Sequence, residues 1–388
     1  MDIQQLLWNE EYGWRPVEAG EPVDFVEKPI DAQLVLYFGA ASVFEKVPVY
    51  EELKRRYPYA HIVGASSALQ VSGHYPLTGA ITATAIRFRD AEVRVASTEL
   101  KRPEQSYGAG VQIGESLISP DLKAVLLLCD GTVADAGVII SAMVGKIGKK
   151  IPISGMVSST GLGAVHTFTG ADSVPEPGKI AAIGFYGKHV ELNTAGFHSC
   201  VPMGAPHKIT RAKGHIVYEM DGVDALSVYR KYVKEDTAEG DRMRLLFPFM
   251  MSREDMPAHG VLRSVVMVDE GAKALVLGGN APEGRILQMM MSRPEHIVID
   301  GEAAALAKAR LIKSTAKGDV LALLAGDVSR AAAMDRNIYQ ETGYVAELLG
   351  SKPSLIGGYG NGMFMPVMPG EESKLHNYTT AIAVLQEV

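Results

Sequence analysis

The sequence predicts an α/β protein of two domains, with mixed parallel and antiparallel sheets built from repeated βαβ-plus-hairpin units. Three observations carry this. One pattern occurs three times along the chain: a short apolar run, a turn of small residues, a helical stretch, a second apolar segment and another small-residue turn. The paired glycines Gly39/Gly64, Gly131/Gly155 and Gly326/Gly357 lie 25, 24 and 31 residues apart, about the length of one helix plus one buried strand. Each copy then continues into a further strand-like segment. Where yet another strand follows, the connection is short, so part of each sheet should be antiparallel.

The first copy opens on Leu34-Val35-Leu36-Tyr37-Phe38, a continuous apolar run of the kind that forms a strand buried on both faces. Val47, Tyr50, Leu53 and Tyr57 then share one helical face, and Ile62-Val63 leads into Gly64-Ala65-Ser66-Ser67. Residues 81–88 and 92–96 read as the following strands. In the second copy, residues 124–128 precede Cys129-Asp130-Gly131-Thr132. A helix around 138–144 follows, then Ile151-Pro152-Ile153 and the turn Ser154-Gly155-Met156-Val157-Ser158-Ser159, with strands at 180–185 and 190–192. The third copy runs from 320–324 through Ala325-Gly326-Asp327 and a helix to Ser354-Leu355-Ile356 and Gly357-Gly358-Tyr359-Gly360-Asn361-Gly362, and ends in a strand at 378–385.

Between the second and third copies the pattern changes. Residues 245–251, 262–268 and 274–277 read as successive strands, 278–284 as a turn, 234–241 as a polar linker and 295–317 as an alanine-rich helix. The expected boundaries are an N-terminal extension over 1–29, a first domain over 30–235 and a second over 236–388.

Composition narrows the function. The 388 residues are 47% hydrophobic and 21% charged, with a net charge of −7, as expected of a globular protein. An acidic chain without a basic block is poorly suited to nucleic acid, whose affinity comes mostly from Lys and Arg on phosphates. No apolar run approaches the length of a membrane span, and the N-terminus has no signal-peptide pattern. The two cysteines, Cys129 and Cys200, form no C-x-x-C pair, which fits a reducing compartment. The expectation is a cytoplasmic protein with no nucleic-acid and no membrane partner.

Phosphate-loop, zinc-protease, EF-hand and nucleophile-elbow motifs are absent from the sequence. The glycines at 108, 110 and 114 follow no convincing strand, and their last interval is one residue too long for a dinucleotide fingerprint. They read as a loop entering a helix near Glu115. The turns after each second strand are the more informative places. Strand carboxyl ends face the ligand crevice of a parallel βαβ unit, and Ser66, Ser67, Ser158 and Ser159 could donate hydrogen bonds there. The same residues also suit tight turns that need small side chains, and pattern alone does not separate the two readings.

Asp130, Asp327 and Arg330 sit just past strand ends, where a ligand crevice would be. Helix capping would also place the two Asp residues there, and a solvated or salt-bridged face would place Arg330. Tyr359, Asn361, His376 and Asn377 border the third glycine turn. His198 and Cys200 have a metal-pair spacing, but no second pair completes a site, so no metal is expected. His198, His207 or His215 could each serve as an axial haem ligand. An enzyme would need an activated nucleophile. Cys129 is the local candidate, and its neighbour Asp130 should raise the thiol pKa, which argues for a buried strand cysteine.

The collinear order of several short motifs resembles the FIST family of signal-transduction sensors. In the N-terminal part these are residues 58–68 (PYAHIVGASSA), 126–131 (LLLCDG), 183–187 (IGFYG), 201–210 (VPMGAPHKIT) and 216–222 (IVYEMDG). In the C-terminal part they are Phe247-Pro248, Ala281-Pro282-Glu283-Gly284, Arg330, Gly357-Gly358-Tyr359-Gly360 and Leu375-His376-Asn377-Tyr378-Thr379. The resemblance covers about residues 30–388. It implies an intracellular sensor of small ligands such as amino acids or related metabolites, with no catalytic residues, acting on a separate signalling protein such as a histidine kinase or a cyclic-nucleotide enzyme. A haem-based nitric-oxide sensor and an enzyme using the same crevice are the alternatives. Two departures fall near the third glycine turn. Arg330 is kept without the family's preceding thiol, and Gly362-Met363 stands where the family has Gly-Glu.

Overall fold

The computed structural model describes residues 1–18, 21–23, 28–163, 165–233, 244–293, 310–351, 353–368 and 370–388. The strands that set the topology of the three repeat sheets are, in chain order, β1 (Asp2–Asn9), β2 (Leu34–Gly39), β3 (His61–Ser66), β4 (Gln70–Ser72) and β5 (Ile81–Arg87). Next come β6 (Glu92–Glu99), β7 (Leu122–Cys129), β8 (Ile153–Val157), β9 (Thr169–Ala171), β10 (Lys179–Tyr186) and β11 (Val190–Phe197). The last four are β12 (Val320–Asp327), β13 (Pro353–Gly360), β14 (Met363–Pro366) and β15 (Thr380–Glu387). The helices that matter for the site are α1 (Val49–Arg56), α2 (Ser106–Leu117), α3 (Ala136–Ile147), α4 (Val328–Met334) and α5 (Ile338–Leu349).

The protein is α/β with mixed sheets. In each repeat the two apolar segments pair in parallel, as β2/β3, β7/β8 and β12/β13. The return strands β5, β10 and β15 pair antiparallel with β2, β7 and β12. The third interval is longer because its two helices, α4 and α5, have 7 and 12 residues, against 4 and 8 for the two helices of the first unit.

The strand after each return does not fold back on it. β6 pairs with β10 and β11 with β15, each crossing into the next unit's sheet. The corner ahead of β6 is held by the Glu387 carboxylate, which accepts the backbone N–H groups of Arg89, Asp90 and Ala91 at 3.1, 2.9 and 2.9 Å. These bonds turn the chain away from β5. The short strands β4, β9 and β14 cross the other way, onto β13, β3 and β8. β1 pairs with β5 and so fills, in the first sheet, the place that β6 and β11 take in the others. The result is a threefold pseudosymmetric ring closed by β1. Strands from the two halves of the chain interleave within it.

Side chains alternate along the parallel strands. Leu34, Leu36 and Phe38 of β2, Ala124, Leu126 and Leu128 of β7, and Leu321, Leu323 and Ala325 of β12 meet in one central cluster. Their alternates, including Tyr37, Leu127 and Leu324, pack against each unit's own helices. Burial on both faces explains the uninterrupted apolar runs in the sequence. The centre is packed: the void lined by Leu36, Leu126 and Leu323 measures about 10 Å³.

An eight-stranded antiparallel sheet lies beside the ring and is formed from strands between Cys200 and Ser292. Residues 244–246 are helical, and the strand expected over 245–251 begins at Phe249. The run read as one strand over 262–268 is two, Met256–Arg263 and Val265–Asp269. The break falls at Ser264, whose carbonyl accepts Gly278 N–H at 2.9 Å. The expected linker over 234–241 and most of the expected helix over 295–317 lie outside the described residues.

The glycines at 108, 110 and 114, read as a loop, lie inside α2. The reason is packing. A Cβ on Gly110 would stand 2.5 Å from Ile139 O, and one on Gly114 would stand 2.8 Å from Lys146 Cβ. Small residues are what allow α2 to lie against α3.

Candidate functional site

The carboxyl ends of the three parallel pairs converge and bond to one another in a cycle. Ser159 N–H donates to Ser66 O (3.1 Å), Asn361 N–H to Val157 O (2.9 Å) and Ala68 N–H to Tyr359 O (2.9 Å). Close approach explains the small residues. A Cβ on Gly131 would stand 2.0 Å from Ser158 O, and one on Gly360 would stand 2.1 Å from Val157 O.

The serines are buried and bonded internally. Ser66 Oγ accepts Phe168 N–H at 3.0 Å, Ser67 Oγ accepts Gln70 Nε2–H at 3.2 Å, and Ser158 Oγ shares a bond of 2.8 Å with Thr169 Oγ1. Ser159 Oγ donates to Asn361 Oδ1 at 2.7 Å. Asp130 is fully buried and organises the loop after β7 by accepting from Thr132 N (2.9 Å), Val133 N (2.5 Å), Thr167 Oγ1 (2.7 Å) and Gly178 N (3.1 Å). Burial pushes its carboxyl up, but these hydrogen bonds outweigh it and hold the group below the ordinary value. Arg330 and Tyr359 both bond Glu341 inside the third unit. His376 is buried, with Nε2 3.2 Å from Met365 O.

At the rim of this convergence lies a cleft of about 500 Å³. Its walls are the loop from Gly131 to Ala136 at the start of α3, residues Asp327 to Ser329 at the start of α4, Asn361 and Asn377, and residues 276–280 of the antiparallel sheet. Of the candidates named from sequence, Asp327, Asn361 and Asn377 therefore come together on one cavity. The others lie in the ring around it. A second cleft, of about 540 Å³, holds none of them.

Asp327 caps α4, accepting Ser329 N–H at 2.8 Å, and burial pushes its carboxyl up despite the N–H groups of Ser329, Tyr378 and Arg330. Asp135 caps α3 in the same way, accepting Val138 N–H at 3.0 Å.

Among the described residues, three polar atoms around this cleft are buried and have no partner: Asn377 Oδ1, Ser264 Oγ and Arg263 Nε. Asn377 and Ser264 line the cleft. Arg263 lies just behind it, its Nε 3.1 Å from where a Cβ on Gly279 would be. Sequence reasoning missed Arg263 and Ser264 because they interrupt an otherwise apolar run that reads as an ordinary strand. An arginine within such a run was the available signal.

The three histidines considered for haem do not gather. His198 precedes the 14-residue strand Cys200–Lys213, His207 lies within it and His215 follows it, a span of roughly 40 Å or more at strand rise. His207 Nδ1 is 2.8 Å from Asp221 Oδ2, and its Nε2 is buried without a partner. His198 and His215 are exposed, and His215 lies at the cleft edge. Among the described residues, no group of three or more His, Cys, Asp and Glu side chains is placed to hold a metal ion. Cys129 is buried on the helix side of β7, where burial, with Asp130 and Asp135 nearby, pushes its thiol well above the ordinary range.

Residues 33–223 match the FIST N domain and residues 225–366 the FIST C domain. The chain belongs to the FIST family. FIST domains are signal-transduction sensor domains. No curated protein sequence matches the chain. Among solved structures it has a distant similarity to a cyanuric acid hydrolase from A. caulinodans, at 8% identity and a TM-score of 0.32, over 92% of this chain and 91% of that one. PurLQS from Thermotoga maritima aligns at 10% identity and a TM-score of 0.18, over 100% of this chain and 72% of that one. Among the described residues, no helix of this FIST protein is long and apolar enough to cross a membrane.

Proposed function

We propose that this FIST protein senses a small polar ligand, an amino acid or a related metabolite, in the cleft lined by Asp327, Asn361 and Asn377, and passes the signal to a separate protein partner. The observation that carries the reading is the pair of buried, unpartnered polar atoms on two residues that line that cleft, Asn377 Oδ1 and Ser264 Oγ. A buried polar atom left unmatched costs about 1–3 kcal/mol, and a ligand that completes its hydrogen bond removes that cost. The cleft volume falls in the range usual for small-molecule sites.

Its position suits a sensor. The second unit, the third unit and the antiparallel sheet each contribute one wall. A ligand touching all three favours whichever of their arrangements binds it better, and that differential affinity is the signal. The partner is expected to be a kinase or a cyclic-nucleotide enzyme, as the family resemblance implies.

The test is calorimetry with single amino acids and common metabolites on wild-type protein and on Asn377→Leu. A ligand whose binding is lost in the variant supports the reading. Binding that is unchanged by Asn377→Leu, or no binding across the set, would sink it.

A further inference from the structure

Arg263 is 5% exposed. Its Nη1 donates to Leu262 O (3.0 Å) and Leu375 O (2.9 Å), both neutral carbonyls, while Nε donates to nothing. Among the described residues no carboxylate lies within ion-pair distance of it. A buried guanidinium without a counter-ion is rare, because desolvation costs several kcal/mol that no attraction offsets. Burial pulls the Arg263 guanidinium down to about 10, and the field of Asp135 opposes this. Asp135 lines the cleft but does not reach Arg263. Ser264, the next residue, brings its own unpartnered hydroxyl, and Asn377 brings an unpartnered acceptor. A Cβ on Gly278 would stand 2.8 Å from Asn377 Oδ1 and one on Gly279 3.1 Å from Arg263 Nε, so the Gly278–Gly279 backbone lies over both groups.

Resting on the cleft reading above, we propose that the Gly278–Gly279 backbone shifts aside on binding, so that Arg263 receives a carboxylate or similar oxyanion of the ligand, assisted by Ser264, while Asn377 Oδ1 and Asp135 receive an N–H donor of the same molecule. The ligand class is a small molecule carrying both signs. The two helix starts do not attract an anion by themselves, because Asp135 and Asp327 already occupy their caps. The anion site is Arg263, and its positive charge is uncompensated until the ligand arrives. Arg263 is thus a specificity residue that is costly to the empty protein.

That last property separates it from a structural arginine. Removing an unpaired buried charge should leave the empty protein as stable or more stable, whereas removing a structural one should destabilise it. The experiment compares wild type, Arg263→Met, Arg263→Lys and Asp135→Asn by thermal melting. Each is titrated with the L-amino acids, with ethylamine as an amine-only probe and with propionate as a carboxylate-only probe. The expected result is an amino acid that binds wild type and binds Arg263→Met about 10- to 100-fold more weakly. Arg263→Lys should restore part of the loss, Asp135→Asn should weaken the same ligand, and empty Arg263→Met should melt no lower than wild type. An amino acid that binds Arg263→Met with wild-type affinity would overturn the role of Arg263 and leave the cleft reading intact. So would ethylamine binding as tightly as any amino acid. An Arg263→Met protein that unfolds or melts far below wild type would make the arginine structural and refute the proposal. Failure of every probe to bind wild type would remove the cleft reading as well.

Discussion

Arg330 and Glu341 form an ion pair sealed inside the third unit. Arg330 Nε and Nη2 lie 2.8 and 2.5 Å from Glu341 Oε2, with the two side chains 1% and 0% exposed. The other carboxylate oxygen accepts from Thr380 Oγ1 at 2.6 Å and Tyr359 OH at 3.0 Å, and Arg330 Nη1 donates to Ser199 Oγ at 3.1 Å. The network ties α4 and α5 to β13, β15 and the segment leading into the antiparallel sheet. It also accounts for two residues that sequence position placed near a ligand, Arg330 and Tyr359. Their polar groups are spent on the fold.

Breaking one half of this pair should be severe and removing both halves milder. Glu341→Gln is expected to lower stability by about 3–5 kcal/mol, because it leaves a buried guanidinium without its counter-charge. Arg330→Met combined with Glu341→Leu should recover much of that loss. Urea unfolding of wild type and the two variants checks this. Equal losses in the single and double variants would show that the ion pair itself, and not an orphaned charge, carries the stability.

The contrast between Arg330 and Arg263 also marks what the sequence could reveal. Three βαβ units were legible because their strands are buried on both faces and therefore read as unbroken apolar runs. The exchange of strands between units was not legible. Of the exchanged strands, β6 and β11 have eight residues each and read as strands, but their short connections suggested pairing within their own units. β4 and β9 have three residues each and β14 has four, too few for a periodic signal. At the site, Asp327, Asn361 and Asn377 stood out as polar residues at strand ends. Arg263 and Ser264 come from the antiparallel sheet, and only the packing of that sheet against the ring brings them to the cleft.

The glycines of α2 offer a test of the packing argument. Gly108 is exposed, and a Cβ there would meet nothing within 4 Å, so Gly108→Ala should gain helix propensity and stabilise by about 0.5–1 kcal/mol. At Gly110 the same gain is opposed by a backbone carbonyl of α3 at 2.5 Å, and Gly110→Ala should destabilise by about 1–3 kcal/mol. Chemical denaturation of both variants decides it. A stabilised Gly110→Ala would mean that α2 and α3 are not as close as described.

Both cysteines should be inert in the folded protein. Cys129 is wholly buried with its thiol pushed well up by burial, Asp130 and Asp135. Burial also pushes Cys200 up to about 12, against the pull of Arg330. Iodoacetamide at neutral pH should modify neither within the time that labels both in urea. Rapid and selective labelling of native Cys129 would reopen the possibility of thiol chemistry beside the cleft.

His376 should make stability depend on pH in a definite direction. It is 4% exposed, and burial first, with Arg263 next, pushes its pKa from the ordinary 6.5 down to about 3. Between those values the unfolded chain binds a proton that the folded protein refuses. Unfolding free energy therefore rises with pH across that window, by up to about 1.4 kcal/mol per pH unit. This contribution is fully present above pH 6.5 and is lost as pH falls toward 3. Carboxylates held low, such as Asp130 and Glu387, add losses of the same sign only in more acidic solution. His61, raised by its hydrogen bond to Asp172, acts in the opposite sense and above pH 6.5, where the folded protein keeps a proton that the unfolded chain releases. In the interval from pH 5 to 6.5, His198 acts in the same sense, because desolvation and Arg330 also hold its pKa below the ordinary value. The share of His376 is therefore read from the difference between wild type and variant. Urea midpoints measured across the interval should fall steadily with acid in wild type and fall less steeply in His376→Gln, whose amide can still donate to Met365 O. A wild-type profile already flat in that interval would show that His376 accepts its proton without cost and is not held neutral by the core.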